Sequence, residues 1–182
     1  MGDIMFISVF KDYCNMKEKP IILLVCFIIF SLLLTYFLTS IPEKFVNTLI
    51  ASFSIFTALL FNLILLLIDM LKNTSSNIDI TSRKDLQEIK LGVIDKCLKI
   101  ISASIMFSIT DIILLLFISF DYSNVLNIIN NNLIVILVKY SLYFSTYFFI
   151  LLFFDSLYSI LKIMNILISK EVENKKKEFT KD

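Results

Sequence analysis

Asp111 is the residue whose type and place most call for chemistry. It lies inside an apolar run from about 98 to 120, where a central Asp costs about 2.5–3.5 kcal/mol on insertion scales. An acid there is by default a functional candidate. Ser104 and Ser108 share its helical face by spacing. Three readings stand side by side. Asp111 is protonated and bonded to Ser108, Asn62 or another helix; or it pairs with Lys139 within or between subunits; or it lines an ion or proton pathway. At 1.5 Å per residue, Asp111 sits roughly 13 Å and Lys139 roughly 9 Å inside the outer ends of their runs. A long Lys spans that difference. Helical side chains lean toward their own N-terminus, however, which sends Asp111 inward and Lys139 outward. Lys139 also has the option of snorkelling to headgroups. Asp155, at the inner end of the last run, completes the set of polar intramembrane candidates.

Other chemistries are excluded by what the chain lacks. It has no His, which removes Ser-His-Asp and Cys-His nucleophile systems and the His-containing zinc sites. Its two glycines, Gly2 and Gly92, cannot form a glycine-rich phosphate loop or a carbonyl ion filter. No catalytic, cofactor-binding or metal-ligating residue is expected, and the function should be non-enzymatic. The three cysteines, Cys14, Cys26 and Cys97, are too scattered for a disulfide framework and read as small apolar fillers. Net charge is +1, so direct attraction to nucleic acid is not expected.

The elements that position these residues are helices in lipid. Of the 182 residues, 58% are hydrophobic, and the mean hydropathy is +0.86. Four runs, about 20–40, 45–71, 98–120 and 133–154, are each long enough to cross a ~30 Å hydrocarbon core. Positive charge alternates between the gaps. Lys11, Lys17 and Lys19 precede the first run and only Lys44 follows it. Lys72, Arg83, Lys84, Lys90, Lys96 and Lys99 fill the second gap. The third, 121–132, has neither Lys nor Arg, and the C-terminal end is again basic. Cytoplasmic loops are enriched in Lys and Arg. The expected fold is therefore an all-α integral membrane protein with four transmembrane helices and a cytoplasmic helical extension. It belongs in the inner (plasma) membrane with both termini cytoplasmic.

Within that frame, residues 1–19 form an N-terminal interfacial segment, with Ile4, Ile7 and Phe10 at helical spacing. Residues 20–168 form the transmembrane domain, and 169–182 a charged, mobile tail. Pro20 suits a first helical position. Pro42 breaks the chain after the first run, which predicts spans one and two side by side. In span two Ala51, Ser54, Ala58 and Asn62 recur on one face, and Ser104 and Ser108 do so in span three. Small residues of this kind permit close helix packing, and an amide bonds across the interface; a pathway lined by Asn62 is the alternative. After a polar stretch at 73–77, Ser82 with Asp85 resembles a helix cap. From there a cytoplasmic helical region (72–97) leads straight into span three. Arg83, Lys84, Glu88, Lys90, Lys175, Lys176 and Lys177 are candidates for docking a soluble partner, their mixed charge suiting a protein better than acidic lipid.

The whole-chain layout resembles the membrane subunit of the Kiwa antiphage defence system. The resemblance rests on the early span 20–40, the stretch around Ser52-Phe53-Ser54-Ile55, the inner helix from Ser82 and the basic tail. It is a likeness of arrangement over the full length, without a sharp motif. It implies a homo-oligomer, a tetramer, that senses membrane disturbance linked to phage and signals to a soluble DNA-binding partner. The expected function is thus a membrane scaffold or sensor that oligomerises and recruits a cytoplasmic protein. Two alternatives remain open: a pore- or channel-forming effector of holin type, and a bacteriocin-immunity-type membrane protein.

Overall fold

The computed structural model describes residues 2–38, 41–75, 84–119 and 132–179, with side chains over 7–38, 41–69, 91–119 and 133–169. Among these residues the regular structure is all α-helix. The helices are α1 (Gly2–Asn15), α2 (Pro20–Phe37), α3 (Glu43–Ser75), α4 (Lys84–Ser119) and α5 (Asn132–Phe179). Four of them carry segments long and apolar enough to cross a membrane: Pro20–Phe37, Glu43–Asp69, Leu91–Ser119 and Leu133–Ser169. Each helix begins where local chemistry allows it. Pro20 occupies the first turn of α2, where a missing N–H costs nothing. The Pro42 carbonyl accepts from the Phe45 and Val46 amides and starts α3.

α4 is central. It packs against α3 and α5 and also carries α1, while α2 lies against α5. Ser104 meets Ser156 and Phe107 meets Phe149, so α4 and α5 run antiparallel. The eight residues 76–83 reach at most about 30 Å, well short of the ~50 Å length of α3. The packed α3–α4 pair is therefore antiparallel too. The last turns of α3 and α5 and the first turn of α4 share one end of the bundle.

Two expectations about layout are corrected. Spans one and two are not side by side: α2 takes α5 as its main partner, burying Ser31 and Thr35 with Leu24 and Phe27 half-buried on the same face. A short connection through Pro42 limits how far apart two helix ends are, but does not oblige the rods to touch. The tail, expected to be mobile, continues as helix to Phe179. No Gly or Pro interrupts the chain between 132 and 179, and Glu171–Lys175 and Glu173–Lys177 fall at the favourable i,i+4 spacing. In the same way α3 persists through the polar 73–75 stretch. The helix leading straight into span three is as expected, with α4 unbroken from Lys84 to Ser119. The proposed Ser82 cap lies outside the described residues.

The packing face of α3 is not the small-residue stripe. Val46, Phe53, Leu60 and Leu67, each seven residues apart, are buried, a heptad spacing that keeps one seam against a neighbour. Phe53 meets Phe153 edge to face, with ring centroids 5.0 Å apart. Ala51, Ser54, Ala58 and Asn62 all face away from the bundle. The larger side chains fill the groove beside α4, so the small ones are left outside.

Gly92 offers a direct test of how α4 is held. It is exposed, helical, and a Cβ added there would meet nothing within 4 Å. Gly in a helix interior costs roughly 0.5–1 kcal/mol relative to Ala. Gly92→Ala should therefore stabilise the protein by about that amount, read as a higher midpoint in denaturant unfolding followed by circular dichroism.

Candidate functional site: a buried polar seam with an unpaired carboxyl

Hydroxyl groups in an apolar bundle have no water to turn to, so each must find a partner inside the protein. On α3, α4 and α5 they do so first along their own helices. Thr57 donates to the Phe53 carbonyl at 2.8 Å and Thr146 to Leu142 at 2.9 Å, and the Ser104 hydroxyl lies 3.0 Å from the Ile100 carbonyl oxygen. The same groups then join the helices. Ser108 lies 2.7 Å from the Thr57 hydroxyl and 3.1 Å from the Phe53 carbonyl oxygen. Ser104 donates to Ser156 at 2.6 Å, and Ser156 donates in turn to the Phe153 carbonyl at 2.7 Å. Ser104 and Ser108 are thus interhelical contacts, as their shared face predicts. Ser108 reaches α3 and Ser104 reaches α5.

Asp111 continues that face of α4 and is fully buried, at 0% exposure. Neither carboxyl oxygen has a hydrogen-bond partner among the described residues. Of the partners the sequence offered, Ser108 is committed to Thr57 and Phe53 and Asn62 points out of the bundle. Lys139 is exposed as well, its ammonium 5.8 Å from the Tyr143 ring centroid. The pairing of Asp111 with Lys139 within one chain is therefore corrected. On antiparallel helices the N-terminal tilt of helical side chains sends the two apart.

Asp155 sits in a second polar cluster, at the α1–α2 turn. The Tyr13 hydroxyl donates to one of its carboxylate oxygens, and Lys17 ion-pairs with the same oxygen. Lys17 also donates to Ser159 at 2.6 Å and lies 5.2 Å from the Tyr13 ring centroid. Tyr13 itself is buried, its ring edge-on to Phe107 at 5.4 Å, with Phe10 alongside. Burial, reinforced by the bond and charge of Asp155, holds its hydroxyl well above a free tyrosine's ordinary pKa near 10. Burial also pushes the neighbouring Cys14 thiol up. The α1 face that packs is Phe10 and Tyr13. Ile7, expected with Phe10 on the apolar side of an interfacial helix, is 65% exposed.

Sequence reasoning missed Thr57, Ser156, Tyr13, Lys17 and Ser159. The available signals were hydroxyl residues isolated in apolar runs, and the i,i+4 placement of Tyr13 and Lys17. Tyr143 and Tyr147 are mostly buried, while Tyr140 is exposed. The docking candidates Arg83, Lys84, Glu88, Lys90, Lys175, Lys176 and Lys177 have side chains outside the described residues. All three cysteines are free thiols. No group of three potential metal ligands occurs among the described residues.

Fold and site together define the class, a helical membrane-protein architecture with four candidate spans around a central α4. The chain matches no protein-family model, no curated protein and no solved structure in the comparisons made.

The Tyr13–Asp155 contact predicts how α1 stays docked. Because the folded-state pKa of Tyr13 is raised, the stability it contributes is complete below pH 10 and is lost as pH rises beyond that. Hydrogen exchange of α1 amides, relative to each amide's intrinsic rate at that pH, should accelerate above about pH 10 in the native protein. In Tyr13→Phe it should be faster by roughly tenfold already at pH 7, with the pH-dependent step removed.

Proposed function

We propose that this protein is a non-enzymatic membrane scaffold or sensor that self-associates and presents a helical stalk to a soluble cytoplasmic partner. The observation that carries this reading is the length of three continuous helices. α3, α4 and α5 have 33, 36 and 48 residues, whereas about 20 suffice to cross a bilayer. At 1.5 Å per residue α5 is about 72 Å long, so a good part of it projects beyond a ~30 Å core. The last turns of α3 and α5 and the first of α4 emerge together, and their sequences mix Lys with Glu and Asp. A mixed-charge rod of this kind suits a protein surface better than an anionic lipid layer. The lysine-poor gap at 121–132 supports placing the opposite end outside and both termini in the cytoplasm. The Kiwa-like layout fits the same scheme, with membrane disturbance as the signal and a DNA-binding protein as its receiver.

Self-association uses the outward stripe of α3. Ala51, Ser54 and Ala58 let a second backbone approach closely, and Asn62 is an amide facing outward from a membrane-spanning segment. An exposed amide in hydrocarbon gains from a partner that both donates and accepts, and another copy's Asn62 does both.

Two measurements test this reading. Native protein in mild detergent should scatter light as a multimer, and Ala58→Leu should shift it to monomer; unchanged mass would remove the α3 interface. Single cysteines, in a chain with Cys14, Cys26 and Cys97 replaced by Ala, test the orientation. Membrane-impermeant maleimide should label Asn127→Cys in intact cells and leave Thr180→Cys unlabelled, and the reverse pattern would overturn the topology. Expression should leave a potential-sensitive dye unchanged, whereas depolarisation would favour a pore.

A further inference from the structure

The buried seam is rich in acceptors and short of donors. Thr57, Thr146 and Ser156 each donate to a backbone carbonyl, and Ser104 donates to Ser156. Ser108 is held between the Thr57 hydroxyl and the Phe53 carbonyl. These hydroxyl oxygens keep lone pairs but have little left to donate. Asp111, the next member of the Ser104–Ser108 face, adds two more oxygens, neither partnered among the described residues. The antiparallel register set by Ser104–Ser156 and Phe107–Phe149 brings Asp111 level with the 145–149 stretch of α5. Thr146 is fully buried in that stretch. The other buried side-chain oxygen without a partner among the described residues, Ser31 Oγ, is on the separate face that α2 turns to α5.

A buried carboxylate is normally answered by donors or by a cation. Here the helix face and the register bring the Ser108 and Thr146 hydroxyls to the level of Asp111. The geometry points to a binding site for a monovalent metal cation of the sodium class, centred on the Asp111 carboxylate and completed by hydroxyl oxygens of Ser108 and Thr146. A single carboxylate balances a single positive charge, and hard cations take oxygen ligands. A divalent ion would bring a second charge that no other acid on this face offsets. The site lies in the α3–α4–α5 contact, so occupation would tighten the three helices that form the proposed stalk. It does not depend on the stalk's having a partner.

The test uses the full chain in detergent, with thermal unfolding followed by circular dichroism. Exchanging choline for sodium at constant ionic strength should raise Tm by at least ~3 °C in the native protein. The rise should vanish in Asp111→Asn and persist in Asp95→Asn, whose ion pair with Lys99 is exposed. An equal rise in Asp111→Asn, or none in the native protein, overturns the proposal. A Tm that follows pH but ignores sodium assigns the site to a proton and also overturns it. Should Asp111→Asn fail to fold, saturable binding of radioactive sodium to the native protein decides. Thr146→Val should weaken that binding roughly tenfold, the loss of one hard oxygen ligand. Absence of saturable binding, or unchanged affinity in Thr146→Val, refutes the site.

Discussion

The bundle depends on one constraint: the two fully buried hydroxyls of α4, Ser104 and Ser108, meet oxygens on the neighbouring helices. Water is absent from such an interior, and apolar contacts alone give little preference for one helix pairing over another in lipid. Ser108 to α3 and Ser104 to α5 supply that preference. Both lie on the face of α4 that also carries Asp111, so a rotation of α4 by a third of a turn would break both links together. The aromatic contacts around Phe53, Phe107 and Phe153 then fill the space between them.

The second organising contact is of another kind. Tyr13, Lys17 and Asp155 bring charge and a phenol together at the α1–α2 turn, where α1 would otherwise rest on the bundle through a few apolar side chains. Lys17 and Asp155 are both half-buried, and each satisfies part of the other's need for a counter-charge. Neither residue alone would be comfortable there. The cluster therefore fixes where the first long helix starts as well as how α1 lies.

Much of the architecture was legible in the amino-acid order. Long uncharged runs can only be helices in lipid, so the number of candidate spans and their helical nature follow from composition and length. The unbroken α4 follows from Leu86, Ile89, Val93 and Cys97 leading into the apolar run with no breaker. Partner choice was less legible, because lipid and protein interior both accept Leu, Ile and Phe. Periodicity then fails to distinguish an outward face from an inward one. Small residues drew attention to the Ala51–Asn62 face of α3, when the seven-residue spacing of Val46, Phe53, Leu60 and Leu67 marked the face that packs. Asp111 was visible at once, yet its want of a partner was not, since Ser108 and Lys139 were near enough in principle. Ser108 is instead bonded to Thr57 and Phe53, and Lys139 is exposed beside Tyr143.

The docking of α2 on α5 has a consequence for biosynthesis. Of the four apolar helices, α2 leaves the ribosome before the others and finds its mate in α5, with the whole of α3 and α4 made in between. At ~5–20 residues per second that interval is roughly ten seconds. Throughout it Ser31 and Thr35 of α2, and Tyr13 and Lys17 just ahead of it, are without the surface that will cover them. The nascent chain must be sheltered over that time, by the insertion machinery or by lipid, before it can close on itself.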